Sequence, residues 1–290
     1  MEAGRASGAP AFLDSCLSRE GKKVKDWQLR SLAEFSSDLR ATIKFVLTDI
    51  DDTLTSDGRL GAAAYRALER LAESGRHIVA VTGRPAGWCD MIARFWPVDA
   101  VIGENGAFYF RYDHQARAMT RRHFLPDAAR AAARARLDRL AEAIPAAVPG
   151  ARLAADQPYR IADLAIDYRE DCGPLSPGEV DRIVALFEAA GAVAKISSIH
   201  VNGWFGDYDK LAMTHILFRE LYGLDLDAAR DAVSYIGDSP NDAPMFGYFP
   251  HAVAVANIRP YLARLPALPA YVTEADSGAG FVEFAEMLLS

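Results

Sequence analysis

At 290 residues the chain is long enough for one large domain or two, and its 51% hydrophobic and 24% charged residues make an ordinary globular composition, so disorder is excluded as the default. The net charge of -7 excludes a general attraction to nucleic acid or to an anionic membrane, although it leaves room for a local basic site.

Cys16, Cys89 and Cys172 form no CxxC pair, so neither a zinc site nor a disulfide framework is suggested, and a reducing compartment fits. The N-terminus has an early acid and no apolar core of signal-peptide length, and no later stretch reaches membrane-spanning length. A soluble cytoplasmic protein is expected. Residues 1–43 match no clear period and read as a partly ordered extension, in which Trp27, Leu29, Leu32 and Phe35 could form one helical stripe.

Phe45, Val46 and Leu47 form an apolar run of the kind a strand buried on both faces requires. Three acids follow within four residues, Asp49, Asp51 and Asp52. Alternation in an extended segment sends Asp49 and Asp51 to one side, at the strand end where ligands bind in parallel sheets. Two carboxylates that close repel, and a hard divalent cation such as Mg²⁺ removes the conflict, so a metal is expected here. An Asp-rich turn would give the same letters.

Tyr65, Leu68, Leu71 and Ala72 then recur at helical spacing before Gly75, a C-cap residue. A second strand, Ile78 to Val81, ends in Thr82-Gly83-Arg84-Pro85, whose threonine can cap the next helix, with Met91, Ile92, Phe95 and Trp96 as its apolar face. A third strand around Ala100 to Ile102 ends in Gly103-Glu104-Asn105-Gly106. The alternation predicts an α/β fold, a doubly wound parallel sheet of Rossmann-like type.

From about Phe108 to Val201 the ordering becomes α+β: a helix over 127–144, strands near Arg152 and over 161–168, a helix over 179–189 and strand-like sequence over 193–201. This reads as an inserted cap domain, residues 109–201, within a core of residues 44–108 and 202–290. The core pattern resumes with Asp209 as N-cap of a helix bearing Met213, Leu217 and Leu221. A strand over 233–236 ends in Gly237-Asp238-Ser239-Pro240-Asn241-Asp242; strands near 252–255 and 271–272 and a closing helix with Phe281, Phe284, Ala285 and Leu288 complete the chain.

Four polar clusters thus stand at strand ends or a helix start: Asp49-Ile50-Asp51-Asp52-Thr53, Thr82-Gly83-Arg84, Lys210, and Gly237 to Asp242. In this order, around an insertion between the second and third, residues 44–290 resemble the haloacid dehalogenase (HAD) superfamily of phosphohydrolases, in the Cof-type and sucrose-phosphatase-like branch with a large α/β cap. The resemblance implies that Asp49 is the nucleophile forming an aspartyl-phosphate and Asp51 the general acid and base, its proton affinity raised by the neighbouring acids. It implies that Asp49, Asp238 and the main-chain carbonyl of Asp51 hold Mg²⁺, with Asp242 supporting the metal through water. It implies too that Thr82, Gly83, Lys210 and Asn241 bind the transferring phosphoryl group. Independently of the family, a cation at the helix start, Lys210, opposes the macrodipole, and a bound anion would remove the conflict. Asp52 stands where many relatives carry Gly.

The cap's underside would choose the substrate. Candidates are His200, Asn202 and Trp204, which alternation sends to one face, and Glu104 and Asn105 at a strand end; Arg160 and Lys195 read as solvated cap charges, and Cys89 as packed in its helix. The function expected is a Mg²⁺-dependent phosphatase acting on a small phosphorylated metabolite, a sugar phosphate foremost, with no nucleic-acid or membrane partner. A phosphosugar mutase of the phosphomannomutase kind and a non-catalytic phosphate-ligand sensor are the alternatives. A P-loop kinase is disfavoured, since GxxxxGK[ST] is missing.

Overall fold

The computed structural model describes residues 29–197 and 199–290; Trp27, Cys16 and most of the expected extension lie outside them. The strands are β1 (Arg30–Ser31), β2 (Phe45–Thr48), β3 (His77–Val81), β4 (Ala100–Gly103), β5 (Phe108–Asp113), β6 (Ala118–His123), β7 (Arg152–Leu153), β8 (Asp163–Asp167), β9 (Val193–Ile196), β10 (His200–Trp204), β11 (Val233–Gly237), β12 (Val253–Ala254) and β13 (Tyr271–Val272). The helices are α1 (Ser37–Thr42), α2 (Ala62–Glu73), α3 (Ala86–Phe95), α4 (Asp127–Ala147), α5 (Pro177–Ala189), α6 (Lys210–Leu217), α7 (Leu226–Ala229), α8 (Ala243–Tyr248) and α9 (Ser277–Leu289).

Nine strands form one sheet in the order β1-β13-β12-β11-β2-β3-β4-β5-β6, with every pairing parallel except β4 with β5 and β5 with β6. The expected doubly wound core is therefore present. From β2 the chain winds outward through β3 to β4, and from β11 it winds the other way through β12 to β13. The switch point lies between β2 and β11, whose C-terminal ends open the crevice where such sheets bind ligands.

Both faces of the sheet are covered, which is why the strands read as unbroken apolar runs. Phe45, Leu47, Val79 and Tyr235 pack with Met213, Leu217 and Phe246 on one side. Val46, Ile78 and Ile236 pack with Leu68, Leu71, Phe281 and Phe284 on the other. Each fully buried side chain of this size contributes about 1.5–3 kcal/mol. Leu32, Phe35 and Ile43 join the second cluster, so the segment from β1 onward is part of the core rather than an extension.

A second, antiparallel sheet, β7-β8-β10-β9, carries α4 and α5 on one face. The register sets His200 opposite Asp167, Asn202 opposite Ala165 and Trp204 opposite Asp163. Leu164, Ile166 and Val201 point to the helices, which leaves the alternate residues, His200, Asn202 and Trp204 among them, on the face toward the core.

Sheet membership moves the insertion boundaries. The hairpin β5–β6 extends the core sheet through His123, and β10 belongs to the cap sheet through Trp204, so the expected limits of 109 and 201 fall inside strands of the other sheet's partners. The period of an antiparallel hairpin says nothing about which sheet it joins. The face of α3 is also corrected: Cys89 and Ile92 are buried, whereas Met91 and Phe95 are exposed, Phe95 by 72%. Thr82 caps no helix; α3 starts after Pro85, which has no side-chain cap.

Gly106, in the turn between β4 and β5, lies against the start of α6. Its φ is +107°, and a Cβ there would lie 2.0 Å from the carbonyl oxygen of Asp209. Gly106→Ala is expected to cost about 2–4 kcal/mol through steric displacement of α6 and a forbidden backbone angle, read as a shift of the denaturant midpoint at unchanged slope.

Candidate active site

The end of β2 and the loop after β11 bring three buried carboxylates together. Asp49 is held by its N–H to the carbonyl of Ile236, 2.9 Å. Oxygens of Asp49, Asp238 and Asp242 all lie within 4.8 Å of one another. Into this group the first residue of α6 sends its ammonium: Lys210 Nζ donates to Asp49 Oδ1 at 2.7 Å and to Asp242 Oδ1 at 2.6 Å. Asp209 caps α6 as expected, its side chain accepting from Ala212 N–H. The anions that settle Lys210 against the macrodipole are thus carboxylates of the protein.

Asp242 is the most fully bonded of the three. Besides Lys210, Oδ1 accepts from the Tyr235 hydroxyl, and Oδ2 accepts from the N–H groups of Asp238 and Ser239 at 2.9 and 3.1 Å. A Cβ on Gly237 would sit 2.4 Å from Oδ2, so this glycine is what lets the carboxylate close onto the strand end. Asp242 anchors Lys210 and the loop, a part beyond the support of a metal through water that the resemblance implied.

With all three carboxylates ionised, one ammonium would leave two negative charges in excess, and without a cation the carboxyls respond by holding protons. Burial, reinforced by Asp242 and Asp51 and opposed by Lys210, pushes the Asp49 carboxyl up to about 8. Burial, then the charges of Asp49, Asp242 and Asp52, raises Asp238 well above the carboxylate range. Lys210 is held above the ordinary lysine range by Asp242 and Asp49 although burial opposes its charge. A hard divalent cation between Asp49 and Asp238 would cancel the excess, so the donor set fits a metal of the carboxylate-binding kind. The carboxylate of Asp51 lies outside this trio.

Asp51 instead meets a cation. Arg84 Nε reaches both of its oxygens at 2.9 Å and Nη2 reaches Oδ1 at 2.8 Å. The sequence led us to expect crowding by acids around Asp51, and the structure replaces that with an arginine fork, because the turn at Thr82 to Pro85 folds back over the end of β2. Thr82 is buried and its hydroxyl accepts from the N–H of Arg84, 3.0 Å, shaping that turn. Asp52 adopts φ +54°, the left-handed conformation that glycine takes at no steric cost.

Gly83, Asn241, Asp49, Asp51 and Asp238 share a cleft with Arg160, Ser197, His200 and Asn202 of the cap. Asn241 accepts from the Ser239 hydroxyl at 2.6 Å, and its amide is 3.5 Å from Asn105 Oδ1. Asn105 packs its side chain against Gly83. His200 Nε2 lies 2.8 Å from Glu170 Oε2, and Asn202 donates to Asp163 at 3.0 Å. Bonding to His200, and then the charge of Arg84, draws Glu170 down to about 2.

Two expected substrate contacts are corrected. Trp204 is packed in the cap–core junction, its Nε1–H donated to the Tyr208 carbonyl at 3.2 Å and its ring stacked on Tyr208. Glu104 is wholly buried and accepts from four backbone N–H groups, those of Ala86 in the core and of Ile161, Ala162 and Asp163 in the cap. Burial, then the charge of Asp163, raises it to about 7 against the pull of Arg160 and the amides.

Arg160 reverses its reading. Far from solvated, it is 1% exposed at the side chain, paired with Asp156 at 2.8 Å and Asp163 at 3.1 Å, and it donates to the carbonyl of Gly83 at 2.9 Å. The signal that could have exposed it is the spacing: acids at four residues before and three after one arginine. Glu170 carried no such mark.

Residues 46–139 match the family described as haloacid dehalogenase-like hydrolases. The resemblance read from the motifs is borne out as a likeness to the haloacid dehalogenase-like hydrolases, whose match takes in the Asp49 and Thr82 clusters. A phosphoglycolate phosphatase of Metallosphaera sedula is 27% identical over 255 residues, covering 86% of this chain and 100% of that relative. Among solved structures, protein 0175 of Thermoplasma acidophilum superposes with a TM-score of 0.64 at 20% identity, over 85% of this chain and 98% of that one. The sucrose-phosphatase of Synechocystis gives 0.58 at 15% identity, over 84% and 97%. At these identities the structures speak to the fold.

Lys210→Met is expected to destabilise the protein by about 3–5 kcal/mol in denaturant titration, because it strands two buried carboxylates. Asp49 and Glu104 hold protons in the folded state that the unfolded chain has already lost. Their contribution is complete below the ordinary carboxylate range and is lost as pH rises through about 7 and about 8. In chelator the melting temperature is therefore expected to fall from pH 5 to pH 8.

Proposed function

We propose that the protein is a Mg²⁺-dependent phosphatase that hydrolyses a small phosphorylated metabolite through an aspartyl-phosphate. The observation that carries this reading is the buried group of Asp49, Asp238, Asp242 and Lys210 at the switch point of the sheet, three carboxyl groups facing one ammonium. Among the described residues, no helix is long and apolar enough to cross a membrane.

Asp49 and Asp238, with the main-chain carbonyl of Asp51, would hold Mg²⁺, whose chemistry is to neutralise the phosphoryl oxygens and keep Asp49 ionised. Lys210 keeps the free oxygen of Asp49 turned toward the cleft and supplies a positive charge to the phosphoryl group, to which Gly83, Thr82 and Asn241 contribute from the neighbouring loops. Asp49 attacks phosphorus, and the bond to the leaving oxygen breaks as Asp51 gives that oxygen a proton. Water then attacks the same phosphorus, Asp51 takes its proton, and the carboxylate of Asp49 is released with inorganic phosphate. Both oxygens of Asp51 accept from Arg84, so the arginine has to give up one of them as the leaving oxygen arrives.

A polar wall of Arg160, His200 and Asn202 supports a hydroxylated or anionic leaving group. A sugar phosphate satisfies it. The phosphoglycolate phosphatase aligned along 86% of the chain favours a second reading, a short phosphoacid, on the same wall.

Phosphate release across sugar phosphates, nucleotides and phosphoacids tests the proposal. Turnover is expected with Mg²⁺ and not with chelator, and Asp49→Asn is expected to lower kcat by at least about a thousandfold. A folded, metal-loaded protein that releases no phosphate from any of them would overturn it. Isomerised hexose phosphate without free phosphate would establish a mutase instead.

A further inference from the structure

Helix α3 is apolar on more than the face it buries. Ala86, Cys89, Ile92 and Ala93 turn into the core, yet Trp88, Met91 and Phe95 stand outside it. With 3.6 residues per turn these three side chains fall within about 60° of one another around the helix, so they form one stripe. A helix that is apolar all round belongs in an interior, covered on every side. Among the described residues nothing covers the outer stripe of α3.

The uncovered surface continues onto the cap. Tyr159, 59% exposed, packs over Gly87 so closely that a Cβ there would lie 3.0 Å from the Cβ of the tyrosine. Ile161, also exposed, is held beside the start of α3 by the Glu104 carboxylate, which takes its N–H and that of Ala86. Seven large apolar side chains are exposed among the described residues, and five of them stand on this strip; the other two, Leu153 and Leu224, lie in β7 and before α7. Single exposed apolar residues need no explanation, whereas a contiguous strip marks a contact surface.

Charges run along one flank. Asp90 accepts from Arg94 at 2.7 Å and from Arg121 at 2.6 Å. The two helix charges are one turn apart and opposite in sign. Laid antiparallel on a copy of itself about a twofold axis near Met91, α3 therefore sets Asp90 opposite Arg94 of the partner subunit. An aromatic and methionine centre with arginine at its rim is also the composition of protein interfaces. The five side chains present roughly 500 Å² per copy. A pair covers about 1,000 Å² with them alone, and the polar surround brings the total into the range of about 1,200–2,000 Å² that stable complexes bury.

We propose that this strip is the twofold interface of a homodimer, α3 of one protomer against α3 of its partner, with Trp88 and Phe95 as the buried anchors. A twofold contact uses the strip in both copies and leaves none of it to propagate. Because the strip includes Tyr159 and Ile161, the cap and the core of each protomer press on the same partner.

Sedimentation velocity of the full chain between about 1 and about 100 µM tests the proposal. A species of twice the chain mass is expected within that range. Phe95→Glu and Met91→Lys are each expected to weaken association by about a hundredfold or more, since every substitution enters the interface twice, while Leu224→Glu leaves it unchanged. Melting curves confirm that the variants fold. Met91→Cys, close to the axis, is expected to give a disulfide-linked dimer on mild oxidation in greater yield than the wild type, whose own cysteines set the background. A chain that stays monomeric at about 100 µM would overturn the proposal. So would a dimer that both substitutions leave intact, because its contact lies on another face. A monomer in which Met91→Cys forms a disulfide to Cys16 of its own chain would give the strip to the N-terminal segment instead, and the homodimer would be refuted.

Discussion

The structure depends on one ammonium. Lys210 lies between Asp49 and Asp242 at the point where the sheet reverses its winding, and all three groups are buried. A buried carboxylate is costly unless it is paired and hydrogen-bonded. The close approaches nearby serve that need. Gly106 lets the start of α6 come in against the end of β4, Gly237 lets Asp242 fold back on its own strand, and Tyr235 donates to it from below. One lysine still cannot balance three acids. The remaining negative charge is the physical basis for expecting a cation and a phosphoryl group in the same place.

A second set of charges ties the cap to this centre. From Asp51 the contacts run to Arg84, on to Asp156 and Glu170, and through Asp156 to Arg160 and Asp163. Such a buried network is weak evidence for stability, since apolar side chains of equal volume often do as well. What it supplies is a single register. An arginine fork can be satisfied by a carboxylate in few geometries, and here the forks fix where the cap's polar face stands relative to Asp49. The core brings the groups that handle phosphorus, and the cap decides what accompanies it.

The parts read directly from the sequence are those whose signal is local. Unbroken apolar runs at Phe45 to Leu47, Ile78 to Val81 and Val233 to Ile236 demand strands covered on both sides, and each ends in a polar cluster because parallel strands present their C-terminal ends to ligands. The N-cap at Asp209, the helix face of Phe281 to Leu288 and the shared face of His200, Asn202 and Trp204 follow from fixed periods of side-chain direction. The acidic character of the site was equally legible, since Asp49 and Asp238 stand at the ends of such strands.

Long-range pairing is what the sequence left open. Arg160 looked solvated and is buried, Glu104 and Trp204 looked like substrate contacts and are structural, and the β5–β6 hairpin joined the core sheet rather than the cap. In each case the local pattern permits two environments that differ only in which distant surface arrives opposite. A charged side chain is buried when a partner from elsewhere meets it, and a period of two says which way a residue points but not what it will face. The strands, their order of winding and the acidic site were therefore determined by the sequence as local chemistry, whereas the cap's fastening and the walls of the chamber were decided only when segments nearly sixty residues apart, such as Glu104 and Ile161, were brought into hydrogen-bond contact.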